Sequence, residues 1–287
     1  MIRSSILYYL AKMMSPTSAC LSNEMKEAMV SDDRAMAYRI ERISHIQDAA
    51  CRYGVVIENQ DVLDFGCGSG LYSVEYLRLG AKTVTGVDIL QKSLDMALAR
   101  SKDPRLSFIL SSKDHIPLKD QSIDVVISYD VFEHVSHLDL ILEELYRILR
   151  AGGKVLIGTW GWYHPFAPHL FSAMPVPWAH VMFGERALLQ ACRRVYHSAW
   201  YVPTMFDLDA DGRKKPDKYT EESISTDYVN KLLIRDFERT FKRSRFTYQT
   251  FLMPFGSRWA RWTRVLLRVP WAREFVAGYV WFVLTKS

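Results

Sequence analysis

Val62-Leu63-Asp64-Phe65-Gly66-Cys67-Gly68-Ser69-Gly70 is the stretch that decides the fold. An apolar run carrying one aspartate ends in three glycines spaced by single residues, the pattern of a strand that turns sharply into a helix. Glycine lacks Cβ and tolerates positive φ, so such a turn lets the backbone approach a ligand closely. A dinucleotide fingerprint reads G-x-G-x-x-G, with a helix N-terminus facing a pyrophosphate. Here the third glycine comes one residue early, and Asp64 stands two residues before the first. Beside a phosphate that carboxylate is repelled, whereas beside a cation it is favourable.

Outward from this turn the chain alternates. Residues 61–65 read as a strand and 71–79 as a helix. Residues 83–87 form a second strand closing on Asp88, followed by a helix over 92–100 and strands over 106–110 and 123–128. Leu138, Ile141, Leu142, Leu145, Ile148 and Leu149 mark one helix face, with Gly152 and Gly153 expected to terminate it and a fifth strand over 154–159. Ala37, Ile40, Ile43, Ile46, Ala49 and Ala50 give helical spacing over 33–53. Alternation of this kind indicates an α/β fold: a parallel sheet with helices on both faces and a ligand beyond the carboxyl ends of the strands.

After residue 160 the alternation stops. Residues 160–225 mix aromatics and prolines with a helix over 185–196 and an exposed polar loop over 207–217; residues 226–242 read as helix, 246–252 as strand, 259–269 as helix and 279–284 as strand. The chain of 287 residues is 49% hydrophobic and 24% charged, which excludes disordered and collagenous classes. Cysteines 20, 51, 67 and 192 form no CxxC pair, which argues against zinc and a disulfide framework and for a reducing cytoplasm. Residues 155–184 contain no Asp, Glu, Lys or Arg, yet Pro165, Pro168, Pro175 and Pro177 break any spanning helix there. The short apolar run near the N-terminus, interrupted by Lys12, suits an amphipathic or frayed helix better than an export signal.

The glycine turn resembles the first motif of the class I S-adenosylmethionine (SAM) dependent methyltransferases, of the small-molecule type: hydrophobic-hydrophobic-Asp/Glu-x-Gly-x-Gly-x-Gly. Asp88 lies where that family places the acid that binds both ribose hydroxyls. Ile116-Pro117-Leu118 with Ile123-Asp124 matches its approach to the fourth strand, and Leu149-Arg150-Ala151-Gly152-Gly153 matches its Leu-Lys/Arg-Pro-Gly-Gly turn, with Ala for Pro. The resemblance implies a Rossmann-like, seven-stranded, mostly parallel sheet with one antiparallel C-terminal strand, and a helical, aromatic insertion between strands 5 and 6. The resulting segments are 1–54 (N-terminal helical segment), 55–160 (SAM-binding core), 161–242 (substrate cap) and 243–287 (strands and basic helix completing the sheet). It further implies SAM as cofactor, S-adenosylhomocysteine as product and no metal. The cofactor residues it implies are Asp64, Phe65, Gly66, Cys67, Gly68, Gly70, Asp88, Ile89 and Tyr129. Where relatives carry Asp near the adenine amino group this chain has Ser112, so that contact falls to Ser112, Lys113 or Asp114.

In-line methyl transfer asks the protein chiefly for orientation, and for a base where the acceptor is a hydroxyl or amine. Asp130, Glu133 and His134 follow the fourth strand, and His134 has the intrinsic pKa for base work; His164, after the fifth strand, is a further candidate. A Glu-His pair here also serves as a simple helix cap. Phe132-Glu133-His134-Val135 resembles cyclopropane fatty acid synthases as well, though over four residues only. Tryptophans and phenylalanines in 160–200 suit a small or lipid-like acceptor, or form the insertion's own core.

The formal net charge is +5; residues 1–157 carry −3 and residues 158–287 carry +8. Arg258, Arg261, Arg264 and Arg268 share one helical face, which suits peripheral contact with an anionic membrane, a phosphorylated ligand, or solvent around a core-packed helix. No nucleic-acid recognition module accompanies them. The expected protein is therefore a cytoplasmic or membrane-peripheral methyltransferase, the rival class being a SAM-binding scaffold without turnover.

Overall fold

The computed structural model describes residues 2–14, 32–204, 207–209, 211–256 and 260–287, with side chains from residue 42 onward in the helix that starts at 32 and from residue 263 in the one that starts at 260. Seven strands form one sheet: β1 (Asp61–Phe65), β2 (Thr83–Asp88), β3 (Leu106–Leu110), β4 (Ile123–Tyr129), β5 (Leu149–Thr159), β6 (Phe246–Pro254) and β7 (Ala277–Lys286). Their order is β3-β2-β1-β4-β5-β7-β6, and β7 runs antiparallel to both neighbours. This is the Rossmann-like sheet the sequence led us to expect. The order reverses between β1 and β4, so ligands belong at the carboxyl ends of those strands.

The helices are α1 (Ile2–Met14), α2 (Asp32–Arg52), α3 (Leu71–Arg78), α4 (Gln91–Arg100), α5 (Leu138–Ile148), α6 (Ala179–Phe183), α7 (Glu185–Tyr196), α8 (Ile234–Arg243), α9 (Ala260–Leu266) and α10 (Arg273–Val276). Alternate residues of each strand feed two cores. Leu63, Phe65 and Val126 pack with Ile141, Leu145, Phe237, Phe241 and Phe282, whereas Val62, Val125 and Ile127 pack with Ile46, Tyr76, Leu156 and Trp281. Each such side chain contributes roughly 1.5–3 kcal/mol by leaving water, which is why β-branched runs buried on both faces hold the sheet.

One expectation about local structure changes at Leu149. Helix α5 ends at Ile148 and β5 begins at once; Ile123 pairs with Leu149 and Val125 with Lys154, so Arg150–Gly153 form a bulge inside the strand pairing rather than a helix terminator. Arg150 holds the bulge by reaching Asp61 at 3.0 Å and Asp124 at 2.7 Å, tying β1 to β4. The helix expected over 226–242 starts only at Ile234. Lys231 takes a positive φ of 58°, and the Asn230 side-chain amide donates to the carbonyls of Phe132 at 2.7 Å and Val135 at 3.0 Å, which fixes this segment as an extended clamp.

The chain divides into two compact units, residues 39–161 with 230–287 and the described parts of 1–38 with 162–229. The first is the sheet and its helices; residues 230–242, placed with the insertion by sequence, belong to it. In the second, Leu7 and Ala11 of α1 pack with Met174, Leu188, Cys192, Tyr196 and Tyr219. The loop expected to be exposed over 207–217 starts with a buried acid: Asp207 accepts from Tyr201 Oη at 2.7 Å, Thr204 Oγ1 at 2.8 Å and Lys218 Nζ at 3.1 Å. No helix among the described residues is long and apolar enough to cross a membrane. Of the four arginines on the expected basic helix, Arg264 and Arg268 are exposed, while Arg258 and the side chain of Arg261 lie outside the described residues.

Candidate functional site

At the end of β1 the backbone doubles back over β2. Gly66 and Cys67 N–H groups both donate to the Val87 carbonyl at 2.9 Å, and Gly70 N–H donates to Cys67 at 2.9 Å. Gly66, Gly68 and Gly70 have φ of 78°, 51° and 72°. A Cβ on Gly66 would sit 2.5 Å from Val131 and one on Gly70 2.5 Å from Phe108, whereas one on Gly68 would meet nothing within 4 Å. The outer two glycines are thus required by the protein's own packing. Gly68 faces open space, and its bare backbone forms a cradle for a ligand.

Two carboxylates serve this turn. Asp64 is buried, and its Oδ2 accepts from Ser73 Oγ at 2.5 Å. Burial pushes the carboxyl up to about 7 against the downward pull of Ser73, with the charge of Asp88 adding to the rise. A cation at the turn would reverse that cost, so this acid fits a positively charged ligand. Asp88, closing β2, accepts from Gly68 N–H through Oδ2 and from Leu90 N–H through Oδ1, both at 2.9 Å. It fastens the glycine turn and retains lone pairs for ligand hydroxyls. Ile89 beside it is exposed.

The remaining expected cofactor residues divide. Phe65 is buried edge-on to Phe132 at 6.0 Å, and the Cys67 thiol is buried, its pKa raised by desolvation, so both side chains serve packing. Ser112, Lys113 and Asp114 are exposed beyond β3. Ser112 Oγ donates to Asp114 at 2.7 Å and accepts from His115 N–H at 3.0 Å, a tight polar turn that presents both side chains together.

The end of β4 holds the second cluster. Tyr129 is buried, and its hydroxyl bonds to Arg42, whose guanidinium lies 5.0 Å from the ring centre. Asp130 has a positive φ of 56°, a conformation that costs a non-glycine residue roughly 1–3 kcal/mol and collects at functional sites. It is held by Tyr279 Oη, donating at 2.6 Å, and by Arg42 at 3.6 Å. Glu133 is buried in a 3₁₀ turn (Phe132–His134); Oε2 accepts from Thr159 Oγ1 at 2.6 Å, and Oε1 has no hydrogen-bond partner among the described residues. Burial, then the charge of Asp130, pushes its carboxyl well above the usual carboxylate range, which favours the protonated form. His134 is half-buried on the same turn, whose carbonyls Asn230 clamps.

His164 falls in the 162–229 unit, where its Nδ1 accepts from Phe166 N–H at 3.3 Å. That unit contains a shallow, open recess lined by apolar residues including Phe166, Leu170, Phe171, Met174 and Leu188, with His180 at its wall. Desolvation lowers the His180 pKa, and the ring contacts the Trp162 carbonyl at 2.7 Å.

Arg42, Ser73, Thr159, Asn230 and Tyr279 were not legible as site residues, since only the fold brings them to 130–134 and the glycine turn. Asp130, Glu133 and His134 did carry a signal, as polar groups set among Val131, Phe132 and Val135 after the fourth strand.

A glycine turn after a buried acid, with a second acid at the next strand's end and strand order 3-2-1-4-5-7-6, agrees with the expected Rossmann-like fold of the class I SAM-dependent methyltransferases. In agreement, residues 63–157 match the family described as a methyltransferase domain. A malonyl-[acyl-carrier protein] O-methyltransferase of Yersinia pestis is 39% identical over 98 residues, covering 34% of this chain and 36% of that protein. A ubiquinone biosynthesis O-methyltransferase of Rhizobium leguminosarum is 31% identical over 127 residues, covering 41% and 50%. The chain thus spans half or less of the length of these relatives. Among solved structures, a phosphoethanolamine N-methyltransferase 2 of Haemonchus contortus in complex with SAM superposes with a TM-score of 0.52 at 18% identity, covering 85% of this chain and 52% of that one, a likeness of fold.

Proposed function

We propose that this protein transfers the methyl group of SAM to an oxygen nucleophile of a small or lipid-like acceptor, without a metal. The observation that carries this reading is the buried Asp64 beneath the open Gly68 backbone, with Asp88 alongside. The cofactor supplies an electrophilic methyl carbon and a neutral leaving group. Asp64 balances positive charge at the turn, Asp88 accepts hydrogen bonds from the ribose, Ile89 covers the adenine face, and Ser112 with Asp114 offers its polar edge, with Lys113 beside them. The names of the two relatives support an oxygen acceptor.

His134 is the group we assign to accept the acceptor's proton. Burial favours the protonated form of Glu133, and Asp130 is engaged by Tyr279 and Arg42. His134→Asn is expected to lower kcat by about 10²–10⁴-fold while SAM affinity stays within about twofold. An unchanged kcat returns His134 to a role in the turn alone. The reaction itself is tested by following S-adenosylhomocysteine release with carboxylate, phenolic, quinol, sugar and lipid acceptors. Cofactor binding with no turnover on any of them points to the scaffold instead. We place the protein in the cytoplasm, where SAM is available.

A further inference from the structure

Helix α1 is apolar on two opposite sides. Ser4, Leu7 and Ala11 are buried within its own unit. Ile2, Ile6, Tyr9 and Met13 are 80%, 46%, 59% and 79% exposed. At about 100° per residue these four occupy a sector about 60° wide, opposite the buried side. Arg3 and Lys12 are also exposed, one about 60° to each side of that sector, and the helix has no acidic residue. Single exposed apolar side chains are ordinary; a row of four is not.

The row is held outward by packing. Arg194 of α7 donates to Ser5 Oγ at 2.9 Å and lies 4.4 Å over the Tyr8 ring, while Trp200 Nε1 donates to Tyr8 Oη at 3.1 Å. Helix α6, which packs on α1, leaves Val181 and Met182 exposed as well.

We propose that this face of α1 docks the 162–229 unit on an anionic lipid surface. Ile2, Ile6, Tyr9 and Met13 enter the interface between headgroups and acyl chains, and Arg3 and Lys12 meet the headgroup phosphates at its edges. Charge selects this occupant over a second copy of the chain. Two copies pairing through this face set Arg3 and Lys12 against the same cations with no acid on either helix, whereas an anionic bilayer complements both. The contact lies on α1, not on the basic 258–268 segment, and it does not depend on the methyl-transfer reading.

The test is co-sedimentation of the full chain with vesicles of phosphatidylcholine alone or containing phosphatidylglycerol. The native protein is expected to bind the phosphatidylglycerol vesicles. Ile6→Asp with Met13→Asp is expected to weaken that binding at least about tenfold, and Arg3→Glu with Lys12→Glu to remove most of the preference for phosphatidylglycerol. These side chains are exposed, so thermal melts of both variants should overlay the native curve. No binding by the native protein, or binding that the Asp variant leaves unchanged, overturns the proposal. A concentration-dependent dimer that the Asp variant dissolves, without vesicle binding, assigns the face to a second copy instead. An unchanged phosphatidylglycerol preference in the Glu variant overturns the role of the two cations.

Discussion

Asp64→Asn is expected to weaken SAM binding at least tenfold and, in the same protein, to raise thermal stability above neutral pH. The buried carboxyl has its pKa raised from 3.8 to about 7. In the folded chain it therefore keeps a proton that the unfolded chain has lost, and folding loses stability as pH rises from near 4 to near 7, then levels off. The full penalty is of the order of a few kcal/mol. Asparagine does not ionise, so the variant's advantage in melting temperature should grow over that interval and stay constant above it. Binding runs the other way. The carboxylate is the form that balances a cationic ligand, so native affinity should increase as pH rises through about 7, and the Asn variant should lose that dependence. Differential scanning fluorimetry and calorimetry from about pH 5 to about pH 9 read both effects. Equal affinity in the two proteins would remove Asp64 from the site.

Asp88→Ala should have a still larger effect, a loss of about 100-fold or more in SAM affinity. Its two oxygens hold the N–H groups of Gly68 and Leu90 at 2.9 Å, so alanine frees the turn that forms the cradle and also deletes the acceptor proposed for the ribose. Hydrogen bonds to a charged group are worth about 1.5–3 kcal/mol each, and two lost together reach that factor. Asp88→Asn keeps one oxygen acceptor and should fall between the two, by about tenfold. Titration calorimetry with SAM and with S-adenosylhomocysteine measures the series. An alanine variant within threefold of native would deny Asp88 the ribose role.

The sheet was legible because its signals are local. Residues 61–65, 83–87, 106–110 and 123–128 are short runs rich in apolar or β-branched residues, and each became a strand within a residue or so of its expected ends. The glycine turn was legible for the same reason, since the spacing of 66, 68 and 70 is itself the backbone geometry. What the sequence did not show depends on contacts between distant residues. The bulge at 150–153 exists because Arg150 bridges Asp61 and Asp124, and the non-helical 230–233 because Asn230 caps carbonyls almost a hundred positions away. Arg42 and Tyr279 reach Asp130 only across the completed sheet. Hydrophobic periodicity likewise located helix near the N-terminus without revealing that α1 keeps a second apolar side exposed.

Titration of the folded protein with SAM, S-adenosylhomocysteine and NAD addresses the cofactor assignment most directly. The expected result is one site for SAM and for S-adenosylhomocysteine at micromolar affinity or better, with NAD far weaker, because Asp64 and the early third glycine suit a cation and no pyrophosphate. A folded protein that binds no SAM, or that binds NAD more tightly, would contradict it.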